Sequence, residues 1–332
     1  MKTSIDSLSL KTIYKPIETY LTQIESTILT LLSTNNPFSK EIIHYFFSGR
    51  GKFLRPALCL LAARFSPDDQ VVQSTLPLAA SLEVLHAASL IHDDVVDSAY
   101  LRRSLATVNA KWGNKVSVLI GDYLYARALQ AVFRLKNPRV YALFLETSIA
   151  LCEGEILEIR EQNNFDLSEA IYLEIIEKKT ASLLSACVES GAMMAGLEAE
   201  QVSVLKQFGV CFGMAFQIID DCLDFEGDKQ ELGKDAGADL NAGVLTLPLI
   251  RLISLVSEKQ KSEVFKMFKS SPSLEKFEYL SRLVHEYDTI GYAMAKAREW
   301  VDRARLELSV LNLSVARTSF EQLLEFVLAR RS

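Results

Sequence analysis

Three aspartates close a long apolar stretch, and their spacing suggests metal chemistry. Asp93, Asp94 and Asp97 follow the apolar run that begins at Ser81. On a helix, Asp93 and Asp97 lie one turn apart, so their carboxylates point the same way and repel by roughly 0.2–0.5 kcal/mol. A divalent cation reverses that interaction, and Mg²⁺ commonly takes one or two carboxylates and fills its other positions with water and phosphate. The spacing predicts a metal-assisted phosphate site, and the alternative is a solvated acidic helix end.

A second acidic helix end repeats this pattern. Asp220 and Asp224 are one turn apart near the end of a predicted helix whose apolar face runs from Leu205 to Leu223. Gly209 and Gly213 lie inside this stretch and each costs up to about 1 kcal/mol in a helix, which suggests close packing against a neighbour. Two D-D-x-x-D patterns, each at the end of a long apolar helix, strengthen the prediction of a metal site.

Several cations could bind phosphate beside these aspartates. Arg102 and Arg103 follow the first motif, where forked donors would suit a phosphate. The segment 49–56, G-R-G-K-F-L-R-P, combines flexible backbone with cations ahead of a helix, a plausible anion site without Walker spacing. Lys179 with Thr180 could reach into a cavity, whereas for Lys178 a snorkelling surface position is expected.

Composition excludes several classes of protein. The chain has 332 residues, 49% hydrophobic and 23% charged, with a net charge of −6, which argues against nucleic-acid binding through a basic field. The five cysteines stand singly in apolar runs, as in a reduced cytoplasmic protein. The N-terminus lacks a signal-peptide pattern, and the apolar window Leu76–Ile91 carries Glu83 and His86. We therefore expect a buried helix, no transmembrane segment and a cytoplasmic location.

Helical periodicity dominates the chain, and β-type alternation is nearly absent. The fold class is predicted as all-α, one large helical bundle forming a single domain over 1–332. No linker or fixed-period repeat interrupts it. Predicted helices include Ile13–Leu32, Val71–Val96, Lys115–Leu135, Arg139–Glu161, Ser168–Met194, Glu198–Phe225 and Thr246–Phe268.

The chain resembles the trans-type polyprenyl diphosphate synthases over almost its whole length. The resemblance rests on the order and spacing of short motifs. These are G-K-F-L-R-P (51–56), E-V-L-H (83–86), D-D-V-V-D (93–97), R-R (102–103), G-D-Y-L (121–124), K-T (179–180), F-Q-I-I-D-D-C-L-D (216–224) and L-G-K-D-A-G-A-D-L (232–240).

The resemblance implies an all-α isoprenoid-synthase bundle with a deep central cavity and the two acidic motifs facing each other across its mouth. It also implies sequential addition of isopentenyl diphosphate to an allylic diphosphate primer. By this likeness Asp93 and Asp97 bind two Mg²⁺ ions and Asp220 with Asp224 helps to hold a third. The contacts of the allylic diphosphate would be Arg102, Lys179 and Lys234, and those of isopentenyl diphosphate Lys52, Arg55, His86 and Arg103.

This chemistry needs no protein nucleophile. Cleavage of the allylic C–O bond places negative charge on diphosphate, which metal ions and fixed cations stabilise as it develops. Gln217 and Thr180 would offer dipoles to the carbocation, and an apolar wall would exclude water. His92 precedes Asp93 on a different helical face, so core packing is its expected role.

Two departures and three alternatives accompany the resemblance. The usual Gly-x-Pro-Thr after Arg103 is Ser104-Leu105-Ala106-Thr107, and a lysine common in the family is absent from Gly243–Thr246. A terpene cyclase would normally carry an N-S-E-type second motif, and a non-catalytic subunit would typically lose an acidic motif. A shorter-chain geranylgeranyl diphosphate synthase is the third alternative.

Product length and assembly complete the expectations. Ser89 and Ala88 lie one helical turn before Asp93, about 5.4–7.5 Å deeper, and neither can block a growing prenyl tail. In members with short products an aromatic residue commonly sits there. We therefore expect a long product, octaprenyl within a heptaprenyl-to-decaprenyl range, with the tail stopping near Leu129, Val132 or Phe133. The alternative is that both residues are small only to let two helices approach. The region Lys115–Leu135 resembles the family's dimer-forming helices, which predicts a homodimer.

Overall fold

The structure is a computed structural model that describes residues 9–48, 51–102, 105–225, 237–271 and 273–330. The chain forms two compact units. The first unit comprises Met1–Ile149, Leu183–Gly209 and Glu307–Leu323, and the second comprises Ala150–Ser182, Val210–Leu306 and Leu324–Ser332. The prediction of one domain over 1–332 stays a prediction. Arg103, Ser104 and Lys234 lie outside the described residues.

Helices dominate the described ranges, which confirms the all-α prediction. The N-terminal elements are α1 (Leu10–Ile13), a 3₁₀ turn (Lys15–Ile17), α2 (Glu18–Leu21), α3 (Ile24–Leu31), α4 (Pro37–Phe47), α5 (Leu54–Ala63), α6 (Asp69–Val96), β1 (Leu101–Arg102), β2 (Leu105–Ala106), α7 (Val108–Trp112), α8 (Asn114–Arg134) and α9 (Pro138–Glu161). They are followed by α10 (Glu169–Ile176), a π-helical turn (Glu177–Ala181), α11 (Ser182–Met194), α12 (Ala199–Leu223), α13 (Ala238–Ala242), α14 (Leu247–Leu255), α15 (Glu258–Lys269), α16 (Leu274–Glu286), α17 (Thr289–Ser309) and α18 (Val315–Leu328).

Helix α6 is the central element of the first unit. It begins where the Asp68 carboxylate accepts a hydrogen bond from the Gln70 backbone N–H, an N-cap that satisfies one of the free donors of the first turn. Pro77 inside the helix cannot donate a backbone hydrogen bond, and its carbonyl accepts one from the Ser81 hydroxyl. The helix packs against α3, α5 and α8, so most of its faces are buried.

Two glycines of α12 allow the close packing that the sequence predicted. A Cβ at Gly209 would lie 2.5 Å from the Cα of Ser185 in the first unit. A Cβ at Gly213 would lie 2.5 Å from the Cα of Ala181 in the second unit. Both distances are shorter than any side chain tolerates, so α12 needs a residue without a side chain at both positions.

The structure interrupts three of the predicted helices. Ile13–Leu32 is broken into α1, a 3₁₀ turn containing Pro16, α2 and α3, because proline cannot donate inside a helix. Thr246–Phe268 divides into α14 and α15, since Ser257 and Gln260 form a capping box that starts a new helix. Ser168–Met194 contains the π-helical turn. The two-residue β-hairpin β1–β2 and the short helices α7 and α13 were not predicted.

Two helices, α6 and α12, are long and apolar enough to cross a membrane by length and composition. Their most apolar windows are 67% and 61% buried within the protein, as expected of core helices. This burial agrees with the interpretation of Leu76–Ile91 as part of a buried helix.

Candidate active site

The first aspartate motif occupies the C-terminal turn of α6. Asp93 is half-buried and Asp97, the C-cap residue, is exposed, whereas Asp94 between them is 1% exposed. The sequence placed Asp93 and Asp97 on one face, and both retain access to solvent. The buried Asp94 received no role from the sequence, because the repeat of four singles out only the outer pair.

Asp94 binds the guanidinium of Arg102. The Nε and Nη2 atoms of Arg102 both lie 2.9 Å from Asp94 Oδ1. Burial raises the pKa of the Asp94 carboxyl, and the Arg102 charge opposes that shift. The Asn109 amide donates to the backbone carbonyls of Asp94 and Ala99, 3.0 Å away in each case. The end of α6 is thereby tied to the hairpin and to α7.

A cavity of about 100 Å³ lies beside this motif within the first unit. Aromatic and apolar side chains form much of its wall, and the predicted substrate contacts His86 and Arg102 line it. Lys52 is exposed and Arg55 is half-buried at the first turn of α5. The residues that line the cavity are Tyr45, Phe46, Phe47, Gly51, Phe53, Glu83, His86, Ala87, Leu90, Asp94, Arg102, Leu105, Ala106, Thr107 and Val108.

Phe53 holds a strained backbone conformation at the entrance to α5. Its φ of 48° lies in the left-handed region, which a residue with a Cβ rarely adopts. The residue lines the cavity and immediately precedes the turn that carries Arg55. The fold therefore turns the chain sharply between Lys52 and Arg55, a feature that the basic composition of the segment did not reveal.

The second aspartate motif ends α12 in the second unit and is built differently. Asp220 is exposed and Asp224 is half-buried. Arg330 donates to Asp220 Oδ1 over 3.0 Å, and its guanidinium lies 4.5 Å from the centroid of the Phe216 ring. The Gly237 backbone N–H donates to Asp224 Oδ1. Arg330 lies 110 residues from its partner, so no local pattern indicated this contact.

A buried chain of hydrogen bonds fixes the middle aspartate of this motif. Thr180 Oγ1 donates to the Gln217 amide oxygen over 2.7 Å, and the Gln217 amide nitrogen donates to Asp221 over 2.7 Å. The Tyr172 hydroxyl donates to the other Asp221 oxygen over 2.6 Å. The resemblance implied that Thr180 and Gln217 both offer dipoles to the carbocation, and the structure brings these two side chains into contact. Tyr172 and Asp221 were missed.

Carboxyl groups are crowded around this motif. Burial raises the pKa of Asp221 to about 7, against the stabilising hydrogen bonds from Tyr172 and Gln217. Burial and the nearby carboxylates of Asp221 and Asp224 raise the pKa of Asp239 well above its usual range. Asp239 lies in the first turn of α13, within a motif that carried the resemblance without a role. A cation beside these carboxyls would lower their pKa values and favour the ionised forms.

The π-helical turn Glu177–Ala181 presents the predicted lysine. Lys179 Nζ contacts Glu155, at 2.6 Å, and Glu158. Burial opposes its charged form, but the two glutamates raise the pKa of Lys179 above its usual value. Lys178 instead pairs with Glu153 and Glu174 at the surface, as its predicted snorkelling position requires. A π-turn inserts one residue into the helix and often marks a functional site.

The aspartate carboxylates of the two motifs can supply some of the oxygen ligands that a hard divalent cation needs. Within the residues that the structure describes, no group of three or more His, Cys, Asp or Glu side chains is close enough to hold a metal by itself. Mg²⁺ needs only one or two protein carboxylates when water and phosphate supply the other ligands. The outer aspartates of both motifs reach solvent and meet that requirement, and the carboxyl groups clustered near Asp221 are potential oxygen donors.

Comparison with known proteins identifies the family. The polyprenyl synthetase family pattern matches residues 36–284. The chain is 36% identical over 311 residues to heptaprenyl diphosphate synthase component 2 of Geobacillus stearothermophilus, covering 93% of this chain and 95% of that protein. It is 34% identical over 288 residues to octaprenyl diphosphate synthase of Escherichia coli, covering 87% and 88%.

Solved structures agree with this match. The polyprenyl synthase of Caulobacter crescentus CB15, complexed with calcium and isoprenyl diphosphate, superposes with a TM-score of 0.90 at 30% identity over 98% of each chain. The all-α fold is thus shared with this polyprenyl synthase. The chain belongs to the polyprenyl synthetase family. It is an enzyme of the polyprenyl diphosphate synthase class, a prenyltransferase.

Proposed function

We propose that this enzyme condenses isopentenyl diphosphate head-to-tail onto an allylic diphosphate primer such as farnesyl diphosphate, and makes an all-trans product of octaprenyl length. The observation that carries the length is the small size of the two residues one turn before Asp93. Ala88 is 3% exposed and Ser89 is half-buried, with its hydroxyl donating to the His86 carbonyl. Neither side chain could stop a tail running along α6.

The relatives support a long product suited to a quinone side chain. Similar proteins are named as heptaprenyl and octaprenyl diphosphate synthases. Phe133, one of three residues predicted to end the tail, is 68% exposed and packs edge-on against Tyr141. It is therefore unsuited to close an interior path. Val132 is fully buried and Leu129 is half-buried, so these two remain the proposed limit on α8.

Four aspartates are proposed to hold three Mg²⁺ ions when substrate is bound. Asp93 and Asp97 would hold two ions and Asp220 with Asp224 would help to hold the third. The calcium in the C. crescentus neighbour supports a divalent site in this family. The ions supply electrostatic stabilisation of the departing diphosphate.

Arg102 and Lys179 are proposed to contact the allylic diphosphate, together with Lys234. In the structure each of the two described cations is held by carboxylates, Arg102 by Asp94 and Lys179 by Glu155 and Glu158. These partners limit the positions of the cationic groups before substrate arrives. Donors that are already oriented stabilise developing charge without reorganisation during the reaction.

Isopentenyl diphosphate is proposed to bind beside the cavity of the first unit. His86 lines that cavity, and Arg55 stands at the first turn of α5, with Lys52 just before it. These side chains and Arg103 would contact the diphosphate. The aromatic wall offers an apolar surface for the isopentenyl group, which must be kept from water once the allylic cation forms.

The remaining residues serve the carbocation and the proton. The allylic C–O bond breaks with both electrons leaving on diphosphate, and the isopentenyl double bond attacks the resulting cation. The new cation loses a proton to the departing diphosphate and a double bond forms. Gln217 is fixed between Thr180 and Asp221, and we propose that the dipoles of Gln217 and Thr180 stabilise the carbocation.

Product chromatography of Phe variants tests the proposed length. Ala88→Phe or Ser89→Phe should shift the product to farnesyl or geranylgeranyl diphosphate while turnover continues. Ala87→Phe is a matched control, because Ala87 is about as buried as Ala88 but lines the cavity that His86 also lines. It should weaken isopentenyl diphosphate binding without shortening the product. A long product from a folded Ala88→Phe protein would contradict the proposed path.

Incubation of the isolated chain with primer, isopentenyl diphosphate and Mg²⁺ distinguishes the alternatives. A shorter-chain synthase would stop at geranylgeranyl diphosphate, and a terpene cyclase would release a hydrocarbon. A non-catalytic subunit would show no turnover until a second chain is added. An octaprenyl product from the chain alone is the expected result.

A homodimer is proposed from the surface of α8. Leu119 and Phe133 are each 68% exposed and lie two heptads apart on this helix, with the exposed Ala126 midway between them. Apolar surface at such spacing is typical of a helix that packs against another helix. Light scattering of an active preparation should give twice the mass of the chain. A cytoplasmic location remains a prediction.

A further inference from the structure

The motif G-D-Y-L supports the resemblance, but the proposed function gives it no chemical role. Its glycine, Gly121, lies on α8 directly opposite His92 of α6. A Cβ at position 121 would lie 2.1 Å from His92 Nε2, so the imidazole occupies the space where any other residue would place its side chain. The glycine therefore admits the histidine to the surface of α8.

The His92 imidazole forms a hydrogen bond to the backbone of α8. His92 Nε2 lies 3.1 Å from the backbone carbonyl oxygen of Val118, a distance at which the ring N–H donates to it. The same nitrogen lies 3.5 Å from Asp122 Oδ1. We name His92, Val118, Gly121 and Asp122 the α6–α8 joint. The joint fastens α6 at the residue immediately before Asp93.

The acidic end of α6 needs fastening. Asp93, Asp94 and Asp97 are crowded at the C-terminal turn, where the helix dipole already presents partial negative charge. The carboxylates also repel one another, and both effects favour fraying of the last turn. Arg102 and Asn109 hold Asp94 from the side of the hairpin and α7. The joint holds the other side of the same turn through α8.

We propose that the α6–α8 joint positions Asp93 for metal and diphosphate, with His92 and Asp122 as positioning residues that touch neither. The inference rests on the proposed assignment of Asp93 and Asp97 to the metals. Consecutive Cα atoms are only about 3.8 Å apart, so a shift of the His92 backbone is passed to Asp93. A binding constellation tolerates displacements of only about 0.5 Å.

Three variants weaken the joint by different means. Gly121→Ala inserts a methyl group against the imidazole, His92→Phe keeps a ring but removes its N–H, and Asp122→Asn removes the charge beside it. Asp69→Asn is the matched control for Asp122→Asn. Asp69 lies at the start of α6, is 70% exposed against 65% for Asp122, and also pairs with a basic side chain, that of Arg64. The control removes a surface pair without touching the joint.

The direct measurement is isothermal calorimetry of Mn²⁺ binding. It is carried out in the presence of farnesyl thiodiphosphate, an analogue of the primer that does not ionise readily. Gly121→Ala and His92→Phe should weaken Mn²⁺ binding about tenfold, the range seen when outer partners of metal ligands are lost. Asp122→Asn should have a smaller effect in the same direction, and Asp69→Asn none. The KM for isopentenyl diphosphate should change less than twofold in all four variants.

Several outcomes would contradict the proposal that the α6–α8 joint positions Asp93. Folded variants that bind Mn²⁺ as the wild type does would show that it positions nothing. A parallel rise in the KM for isopentenyl diphosphate, or a loss of dimer that accompanies the loss of Mn²⁺, would indicate a general structural defect. If Gly121→Ala does not fold, His92→Phe and Asp122→Asn decide. Absence of Mn²⁺-dependent binding in the wild type would instead refute the proposed metal assignment, and the joint with it.

Discussion

The two acidic helix ends share one sequence pattern but stabilise their middle aspartates differently. At the end of α6, the buried Asp94 faces the guanidinium of Arg102. At the end of α12, the buried Asp221 is held by the neutral donors Tyr172 and Gln217. Burial raises the pKa of both carboxyls. The Arg102 cation opposes this shift at Asp94, whereas neutral donors oppose it at Asp221, whose pKa is raised to about 7.

The difference assigns separate tasks to the aspartates within each motif. The outer residues reach solvent and are proposed to bind metal, and the middle residues hold structure together. Asp94 ties the helix end to a cation that is itself proposed to bind diphosphate. Asp221 orients Gln217 and adds a carboxyl group to a crowded acidic cluster. Substitutions at equivalent positions should therefore produce different results in the two motifs.

The largest expected effect is on turnover at the outer positions. Asp93→Ala should lower kcat by about 10³, because it removes a proposed ligand of the ions that stabilise the leaving diphosphate. The melting temperature should hold or rise, since a repulsive charge is removed. Asp220→Ala should also be severe, and loss of the Arg330 contact should lower its stability. Near-wild-type kcat of Asp93→Ala at saturating Mg²⁺ would refute the assignment of the first motif.

Substrate affinities separate the two regions at the next level. Lys52→Ala should raise the KM for isopentenyl diphosphate about ten- to hundredfold, the cost of one charge-assisted hydrogen bond of about 1.5–3 kcal/mol. Lys179→Ala should mainly affect the allylic primer. Lys178→Ala is the control, because its ion pairs lie at the surface. Equal effects of Lys52→Ala on both substrates would contradict separate diphosphate sites.

Stability distinguishes the middle aspartate of the first motif. Asp94→Asn should lower the free energy of unfolding by about 1–2 kcal/mol, because the Arg102 guanidinium loses its charged acceptor. The loss is limited because the guanidinium is partly exposed and can bind water instead. Urea denaturation at pH 8 measures this change, with the surface variant Asp69→Asn as control. A variant as stable as the wild type would show that the Asp94–Arg102 ion pair orients these side chains but does not contribute to the free energy of unfolding.

The pH dependence of stability distinguishes the middle aspartate of the second motif. The folded protein keeps a proton on Asp221 up to about pH 7, while an unfolded aspartate releases it near 3.8. Rising pH through this window therefore favours the unfolded state, with a slope of at most about 1.4 kcal/mol per pH unit from this group. In chelator, urea denaturation of Asp221→Asn should lack this component, and exposed Asp220→Asn should retain it. Identical slopes for wild type and Asp221→Asn would contradict the assignment.

The sequence predicted many candidate site residues because their pattern is local. Helical spacing or resemblance indicated the four outer aspartates, Lys179, Thr180 and Gln217, and their roles stay predictions. Thr180 and Gln217 are hydrogen-bonded to each other in the structure. Asp94 and Asp221 were passed over, because spacing alone does not tell which carboxylate of a motif faces the core. Tyr172, Asp239 and Arg330 were missed because their partners are distant in the chain or their motif carried no stated role.

The sequence by itself determined the helical class, the ends of the two long acidic helices and the family, since periodicity and spaced motifs act within a few turns of chain. Only the tertiary structure decided which aspartates are buried, which cation each one meets, and where a turn such as Glu177–Ala181 departs from the α-helix. These outcomes depend on desolvation and on contacts between segments far apart in sequence. Neither is encoded by the spacing of residues along one helix.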